Sequence, residues 1–393
     1  MSLTSKQKQG LEIAVERYKN GERYTTIAGF AGTGKTFLAK KIINALELSP
    51  LQYMVGAFTG KAAYRLQQTG FPAAQTLHKL RYKSIKINNN FIHQKLPIEN
   101  YQGIKLILID EISMVPEDLL KDIADLGIHI IMLGDPGQLP PVGADNGMLK
   151  NPHIFLDEIM RQEEGNSIIQ LSKMIREGEI IKPFSDDFVK MVPKEEVSVG
   201  MLLWADQVLC GRNVTRKLYN DEIRLAKGFV SPTPQEGDKI IVTNNNWDIL
   251  NEEGFPLING MLGEVNFSSG VFKSEKLMGN AMGKDIEIAR VRFVPEFGGG
   301  EFSIKYDMLP FIKENQKSYI VNQFAKGDAR INYIDYGYCI TTHKSQGSEY
   351  SKVLGIEERL NGKNHRKWLY TMVTRASEKL VLAYDKNSGI WEK

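Results

Sequence analysis

Between Gly29 and Thr36 the chain reads Gly29-Phe30-Ala31-Gly32-Thr33-Gly34-Lys35-Thr36, which fits the phosphate-loop spacing GxxxxGK[ST]. Glycines at these positions let successive backbone N–H groups curl around phosphate oxygens, so Gly32, Thr33 and Gly34 form the cradle. Lys35 can reach the terminal phosphates and the Thr36 hydroxyl can ligate magnesium. A second pair, Asp110-Glu111, ends an aliphatic run. There one carboxylate, Asp110, can hold the metal while Glu111 activates a water. Gly134-Asp135-Pro136-Gly137-Gln138 follows the next such run, and a glutamine at Gln138 can sense the γ-phosphate or position the attacking water. Together these residues describe hydrolysis of a magnesium-bound nucleoside triphosphate.

Such groups need a sheet whose strands end at a common edge. The segment 24–28 is rich in strand formers, and 37–46 carries apolar residues at helical spacing through Leu38, Ile42, Ile43 and Leu46. Residues 53–58 form a second predicted strand, followed by a helix over 62–68. The runs 104–109 and 128–133 are almost continuously aliphatic, as in strands buried on both faces. An α/β fold with a parallel sheet follows. Asn88, Asn89 and Asn90 between two strand-like runs predict a β-hairpin within 81–101. A helix over 167–176 stops at Gly178. From 236 to about 306, short β-rich runs at 239–243, 263–267 and 288–293 are broken by Gly, Asn and Pro, which predicts an inserted β-barrel. The expected division is a first module over 1–150, a second over 151–235 and 330–393, and the β-rich insertion over 236–329.

The chain has 393 residues, 42% hydrophobic and 25% charged, with a formal net charge of +3, so several ordinary globular modules are expected. Cys210 and Cys339 are its only cysteines, too few for a disulfide framework or a zinc cluster, and no uncharged run reaches membrane-spanning length. A cytoplasmic protein with no membrane partner is expected. From 61 to 105 the chain carries Lys61, Arg65, Lys79, Arg81, Lys83, Lys86, Lys95 and Lys105 against the single acid Glu99, a basic stretch suited to tracking a nucleic-acid backbone.

In this order the motifs resemble those of the superfamily-1 helicases, in the RecD/Dda-like branch. The segment 3–10 with Gln7 resembles the family's adenine-reading motif. GAFTGKAAYRL (56–66) resembles motif Ia, with Phe58 where relatives show proline, and QTLHKL (75–80) looks like the segment that follows it. IDEISM (109–114) is similar to motif II, GDPGQLPPV (134–142) to motif III, EIMRQ (158–162) to motif IV, THKSQGSE (342–349) to motif V and YTMVTRA (370–376) to motif VI. The resemblance leads us to expect no counterpart of RecD's extra N-terminal domain and a size nearer Dda.

The resemblance implies two RecA-like P-loop domains, with the hairpin inserted in the first and an SH3-like barrel in the second. It implies that Gln7 reads adenine, that Gly347 and Glu349 approach the γ-phosphate and ribose, and that Arg161 and Arg375 act on the transferred phosphoryl group. ATP and Mg2+ would be the cofactors. Thr59, Lys61, Thr76 and His78 would grip single-stranded DNA on one module, and Thr342, His343 and Ser345 on the other. Phe91, beside the hairpin tip, would wedge apart a single-strand/duplex junction or anchor the hairpin by packing. The expected activity is ATP-driven 5′-to-3′ translocation with DNA unwinding. A translocase that strips bound proteins without unwinding is the rival within the class, and a P-loop nucleotide kinase the rival outside it. The resemblance also implies a monomer in a bacterial or phage-infected cell, serving DNA replication, recombination or repair beside single-strand-binding or replication proteins.

Overall fold

The computed structural model describes residues 3–87, 90–140, 146–158, 165–252, 256–268, 288–296, 298, 300–312, 331–359 and 364–392. In chain order its first elements are α1 (Ser5–Lys19), β1 (Tyr24–Gly29), α2 (Lys35–Ala45), β2 (Tyr53–Ala57), α3 (Gly60–Gln68), β3 (Gln75–Thr76), α4 (Leu77–Arg81), β4 (Tyr82–Ile87), β5 (Asn90–Lys95), β6 (Leu106–Asp110), α5 (Glu117–Ala124), β7 (His129–Gly134), β8 (Ile154–Leu156), α6 (Ser167–Glu177) and β9 (Val189–Pro193). Next come α7 (Val199–Trp204), β10 (Gln207–Cys210), α8 (Asn213–Ala226), β11 (Lys239–Val242), β12 (Asn246–Leu250), β13 (Pro256–Leu257), β14 (Leu262–Ser268), β15 (Ile288–Pro295), β16 (Phe302–Asp307) and α9 (Leu309–Ile312). The last are β17 (Ile331–Asn332), β18 (Ile334–Tyr336), β19 (Cys339–Thr341), β20 (Tyr350–Ile356), α10 (His365–Val373) and β21 (Ala376–Tyr384). They divide into two compact units, Met1–Ile85 with His93–Val197 and Ser345–Lys393, and Lys86–Ile92 with Ser198–Lys344.

The first unit is built on a parallel sheet of order β3-β2-β6-β7-β1-β8. Leu106 to Ile109 and Ile131 are fully buried, because helices cover both faces and leave no polar side on these strands. Helix α1 starts on a capping box. The Thr4 hydroxyl accepts the Gln7 N–H, and the Gln7 side-chain oxygen accepts the Thr4 N–H. The same unit holds β20, β21 and β9 as adjoining parallel strands, with α10 packed on β21 and α6.

Two boundaries differ from the sequence expectation. Strand β8 pairs with β1 through Ile27 and Ile154, so the first sheet runs past residue 150. Residues 345–393, expected within a separate second module, group with the phosphate-loop sheet.

Strands β4 and β5 pair as a separate two-stranded sheet. Its base is fixed to α5 and the adjoining chain. Arg81 donates to the carbonyls of Asp122 and Leu96, both at 2.8 Å, and Asp122 accepts Lys95 at 2.6 Å and also the Tyr82 hydroxyl.

In the second unit, β10 and β19 run parallel and bring Cys210 and Cys339 together. Their sulfurs lie 3.6 Å apart, and both residues are fully buried. The β-rich stretch forms a six-stranded sheet of order β17-β16-β15-β14-β11-β18. Its neighbours are antiparallel except β16 and β17. Val291, Phe293, Phe302, Ile304 and Tyr306 fill one face of it. Among the described residues, no helix is long and apolar enough to cross a membrane.

Candidate active site

Strands β6, β7 and β1 are neighbours, so the loops at their C-terminal ends lie side by side. Ligands collect at this edge in open parallel sheets. The loop after β1 turns through Gly32 (φ 75°) and Gly34 (φ 73°), backbone angles that side chains other than glycine rarely tolerate. Gly29 must also lack a side chain, since a Cβ there would stand 2.6 Å from the Thr33 hydroxyl. Lys35 and Thr36 open α2. The Lys35 ammonium donates to the carbonyls of Gly29 (2.9 Å) and Phe30 (3.0 Å), which holds it over its own loop. Gln7 is buried, and its amide nitrogen donates to the Thr33 carbonyl at 3.0 Å. Besides capping α1, Gln7 therefore braces the phosphate loop.

At the end of β6, burial and the adjacent Glu111 push the Asp110 carboxyl up to about 6, against the opposing pull of the Glu111 N–H, Lys35 and Arg65. An acidic group short of positive charge fits a divalent cation. Among the described residues no three His, Cys, Asp or Glu cluster as a metal cage. Magnesium takes one or two protein oxygens and fills the rest with phosphates and water, and the Thr36 hydroxyl and Asp110 carboxylate could supply those oxygens. Glu111 has φ 54° and ψ 44°, left-handed backbone on a non-glycine residue. Strain of this kind persists only where the surroundings impose it, and it concentrates at functional sites.

After β7, Asp135 is buried and one of its oxygens accepts the Gly137 N–H at 2.8 Å. Gln138 is 6% exposed, and its side-chain carbonyl oxygen is buried with no hydrogen-bond partner among the described residues. A buried acceptor left unmet is costly, and a water donating to it can meet it.

Segment 345–393 reaches this loop directly. The Tyr370 hydroxyl donates to Asp135 at 2.7 Å and accepts the Ala31 N–H at 3.2 Å. The Leu139 N–H donates to the Thr371 hydroxyl at 3.0 Å, and the Gln346 amide donates to the Leu139 carbonyl at 3.1 Å. None of Tyr370, Thr371 or Gln346 carries a role in the sequence reading, although all three fall inside the segments quoted as motifs V and VI.

Arg375 is buried and its guanidinium is engaged at all three nitrogens: Nε to the Thr371 carbonyl (2.9 Å), Nη1 to the Ser348 carbonyl (3.0 Å) and Nη2 to the Thr374 hydroxyl (3.1 Å). Glu349 pairs with Arg65 of α3. Gly347 (φ 73°) sits so close to α3 that a Cβ would be 3.2 Å from both Ala62 and the Thr59 hydroxyl. Arg161 and the side chain of Phe91 lie outside the described residues.

The expected strand-gripping residues are placed unequally. Thr59 and Thr76 cap α3 and α4, accepting the N–H groups of Ala62 and Lys79 at 3.2 Å each. Lys61 donates to the Tyr350 hydroxyl at 3.2 Å, and His78 lies between the rings of Phe58 and Tyr82. In the second unit His343 is exposed, whereas Thr342 is fully buried and donates to the Cys210 carbonyl at 3.3 Å. Ser345 is also fully buried.

Beside the phosphate loop opens a cavity of about 440 Å³ lined by Phe30, Ala31, Glu158, Ser172, Lys173 and Arg176 among others. The Arg176 guanidinium stands 3.4 Å from the centre of the Phe30 ring, and Phe155 meets that ring edge-on at 5.2 Å. Neither Phe30 nor Arg176 is a candidate on sequence grounds, because a lone aromatic and a helix-end arginine have no spacing that marks them.

The AAA domain family matches residues 2–188, and the UvrD-like helicase C-terminal domain family matches 336–383. The ATP-dependent RecD2 DNA helicase of Deinococcus radiodurans is 26% identical over 92% of the chain, and the chain spans 47% of that relative's length. The ATP-dependent DNA helicase dda of Enterobacteria phage T4 is 30% identical over 36% of the chain and 33% of its own length. A crystal structure of Bacteroides Pif1 helicase with ADP-AlF3 and single-stranded DNA superposes with a TM-score of 0.58 at 20% identity, covering 100% of this chain and 95% of that one. At that identity the likeness speaks for the fold alone.

Proposed function

The chain belongs to the superfamily-1 helicases, and from that premise we propose that it hydrolyses ATP to travel 5′ to 3′ along single-stranded DNA and to unwind the duplex ahead. The observation that carries this reading is the loop 135–139. It stands on the same sheet edge as the phosphate loop and Asp110-Glu111, holds the unmet Gln138 oxygen, and is fastened by Tyr370, Thr371 and Gln346. Hydrolysis chemistry is thereby tied to a helix outside the phosphate-loop motif, as a motor requires and a nucleotide kinase does not.

Within that reading the N–H groups of Gly32 to Thr36 with Lys35 hold the phosphates, and Gln7, expected to read adenine, instead braces the cradle because its oxygen and nitrogen are taken by Thr4 and Thr33. Thr36 and Asp110 would hold Mg2+, which when bound supplies charge stabilisation to the phosphoryl oxygens. Glu111 takes the proton of the attacking water and Gln138 orients that water. Arg375 and Arg161 would neutralise charge on the transferred group. The paired strands β4 and β5, braced at Asp122, are our candidate wedge, and the six-stranded sheet is our candidate for an SH3-like barrel.

Partial duplexes bearing a 5′ or a 3′ single-stranded tail, offered with ATP and magnesium, test the proposal. Strand separation on the 5′-tailed duplex alone is expected. Hydrolysis stimulated by single strands without separation on either duplex would replace the unwinding reading with a protein-stripping translocase, and the absence of stimulation would remove the motor altogether.

The cavity beside Phe30 is where the base would lie. Arg176→Ala removes a guanidinium stacked on that ring, an interaction of roughly 0.7 to 2 kcal/mol, so the Kd for ATP should rise about 3- to 30-fold with turnover at saturation unchanged. Titration with a fluorescent ATP analogue reads the first quantity and steady-state kinetics the second. An unchanged Kd would move the base elsewhere.

A further inference from the structure

Tyr370 joins two loops of the site, the phosphate loop and the turn after β7. Its side chain is buried, and one hydroxyl both accepts the Ala31 N–H at 3.2 Å and donates to Asp135 at 2.7 Å. The other Asp135 oxygen accepts the Gly137 N–H at 2.8 Å, and the Gln138 N–H closes onto the Asp135 carbonyl at 3.2 Å. The tyrosine ring also fits closely against the turn, since a Cβ on Gly137 would stand 2.9 Å from its Cε1 atom. The residue that follows this ring-backed turn is Gln138, whose buried oxygen has no partner among the described residues. On its far side, Leu139 is held by Thr371, the next residue of α10. Helix α10 therefore grips the glutamine-bearing loop on both sides of Gln138, and through Tyr370 it also bonds to the phosphate loop.

We propose that Tyr370 is a positioning residue for ATP hydrolysis, transmitting the state of the phosphate loop through Asp135 to the placement of Gln138. This rests on the ATPase reading above. Phosphates entering the cradle pull on the N–H groups around Ala31, and the hydroxyl that accepts one of them moves with it. Asp135 follows, and with it the turn that aims Gln138. Burial and the neighbouring Asp135 keep the Tyr370 hydroxyl protonated far above neutral pH, so the donor is present throughout the working range.

Tyr370→Phe keeps the ring against Gly137 and removes both hydrogen bonds. In the full chain, with the folded fraction checked by circular dichroism at the assay temperature, kcat for single-strand-stimulated ATP hydrolysis should fall about 10- to 100-fold, the scale of a lost hydrogen bond to a charged group. The KM for ATP should stay within about 2-fold, because the substrate contacts are untouched.

The decisive comparison is a double-mutant cycle with Gln138→Ala. If Tyr370 acts through Gln138, Tyr370→Phe adds almost nothing to the kcat loss already caused by Gln138→Ala. Losses that multiply, or a Tyr370→Phe protein with full kcat, would overturn the proposal. Wild-type protein that hydrolyses no ATP would instead strike the underlying ATPase reading, and the proposal with it.

Discussion

Glu111→Gln should lower the turnover of single-strand-stimulated ATP hydrolysis by about 10² to 10⁴, the usual worth of a positioned general base, while ATP still binds. The substitution preserves shape and removes only the ability to take a proton. The backbone at Glu111, with φ 54°, puts the residue in a strained turn directly after Asp110, and a planar amide of equal size leaves that turn as it is. Its charge also matters to its neighbour. Glu111 is one of the groups that push the Asp110 carboxyl up, so neutralising it makes Asp110 ionise more readily, which offsets the charge that the metal site loses. The expected signature is an ATP Kd within about 3-fold of wild type beside a collapsed kcat, read by nucleotide titration and steady-state kinetics on the same preparation. A variant that turns over normally would assign proton abstraction to another group.

Arg375→Ala is expected to reduce kcat by about 10³ to 10⁵ if the guanidinium neutralises the transferred phosphoryl group. Its bonds in this structure make a competing account concrete. With its nitrogens given to Thr371, Ser348 and Thr374, it already fastens the end of α10 to the segment before β20. A finger must turn its two remaining N–H groups onto the phosphates or release one of these partners, whereas a fastener does neither. Melting temperature and single-turnover hydrolysis separate the two roles. Loss of the chemical step in protein that remains folded supports the finger. A lowered melting point with normal single-turnover rate in the surviving folded fraction makes Arg375 a structural clamp. Arg375→Lys sharpens the comparison, because lysine keeps the charge but not the planar fork.

The elements of the phosphate-loop half were readable in the sequence because each part is local. The glycine spacing before Lys35, the aliphatic run before Asp110 and the Gly-Pro turn before Gln138 each carry strand, loop and reactive group within a dozen residues. What joins the parts was not readable. Tyr370 meets Ala31 and Asp135 across more than two hundred residues of chain, and no pattern of types links the three.

Strand β8 escaped because it is three residues long with Phe155 facing out, too short for alternation to register. Helix α8 is harder still. Its buried positions include Asn220 and Arg224, while Val214, Leu218 and Leu225 are exposed, so apolar spacing points to the wrong face. Arg224 can be inside because Asp238 takes its Nε and Nη2 at 2.9 Å each, a pairing visible only once the chain has folded. Thr59 and Thr76, plausible strand contacts from their motifs, already serve their helices as caps, the ordinary use of threonine at such positions.

The neighbouring sulfurs of β10 and β19 give the experimenter a built-in gauge. A maleimide or disulfide reagent in solution can reach neither thiol while those strands stay paired, so the speed at which the native cysteines react measures how often that part of the molecule opens. For the same reason, a cysteine introduced at an exposed position can be dyed selectively in folded protein without first deleting the two it was born with.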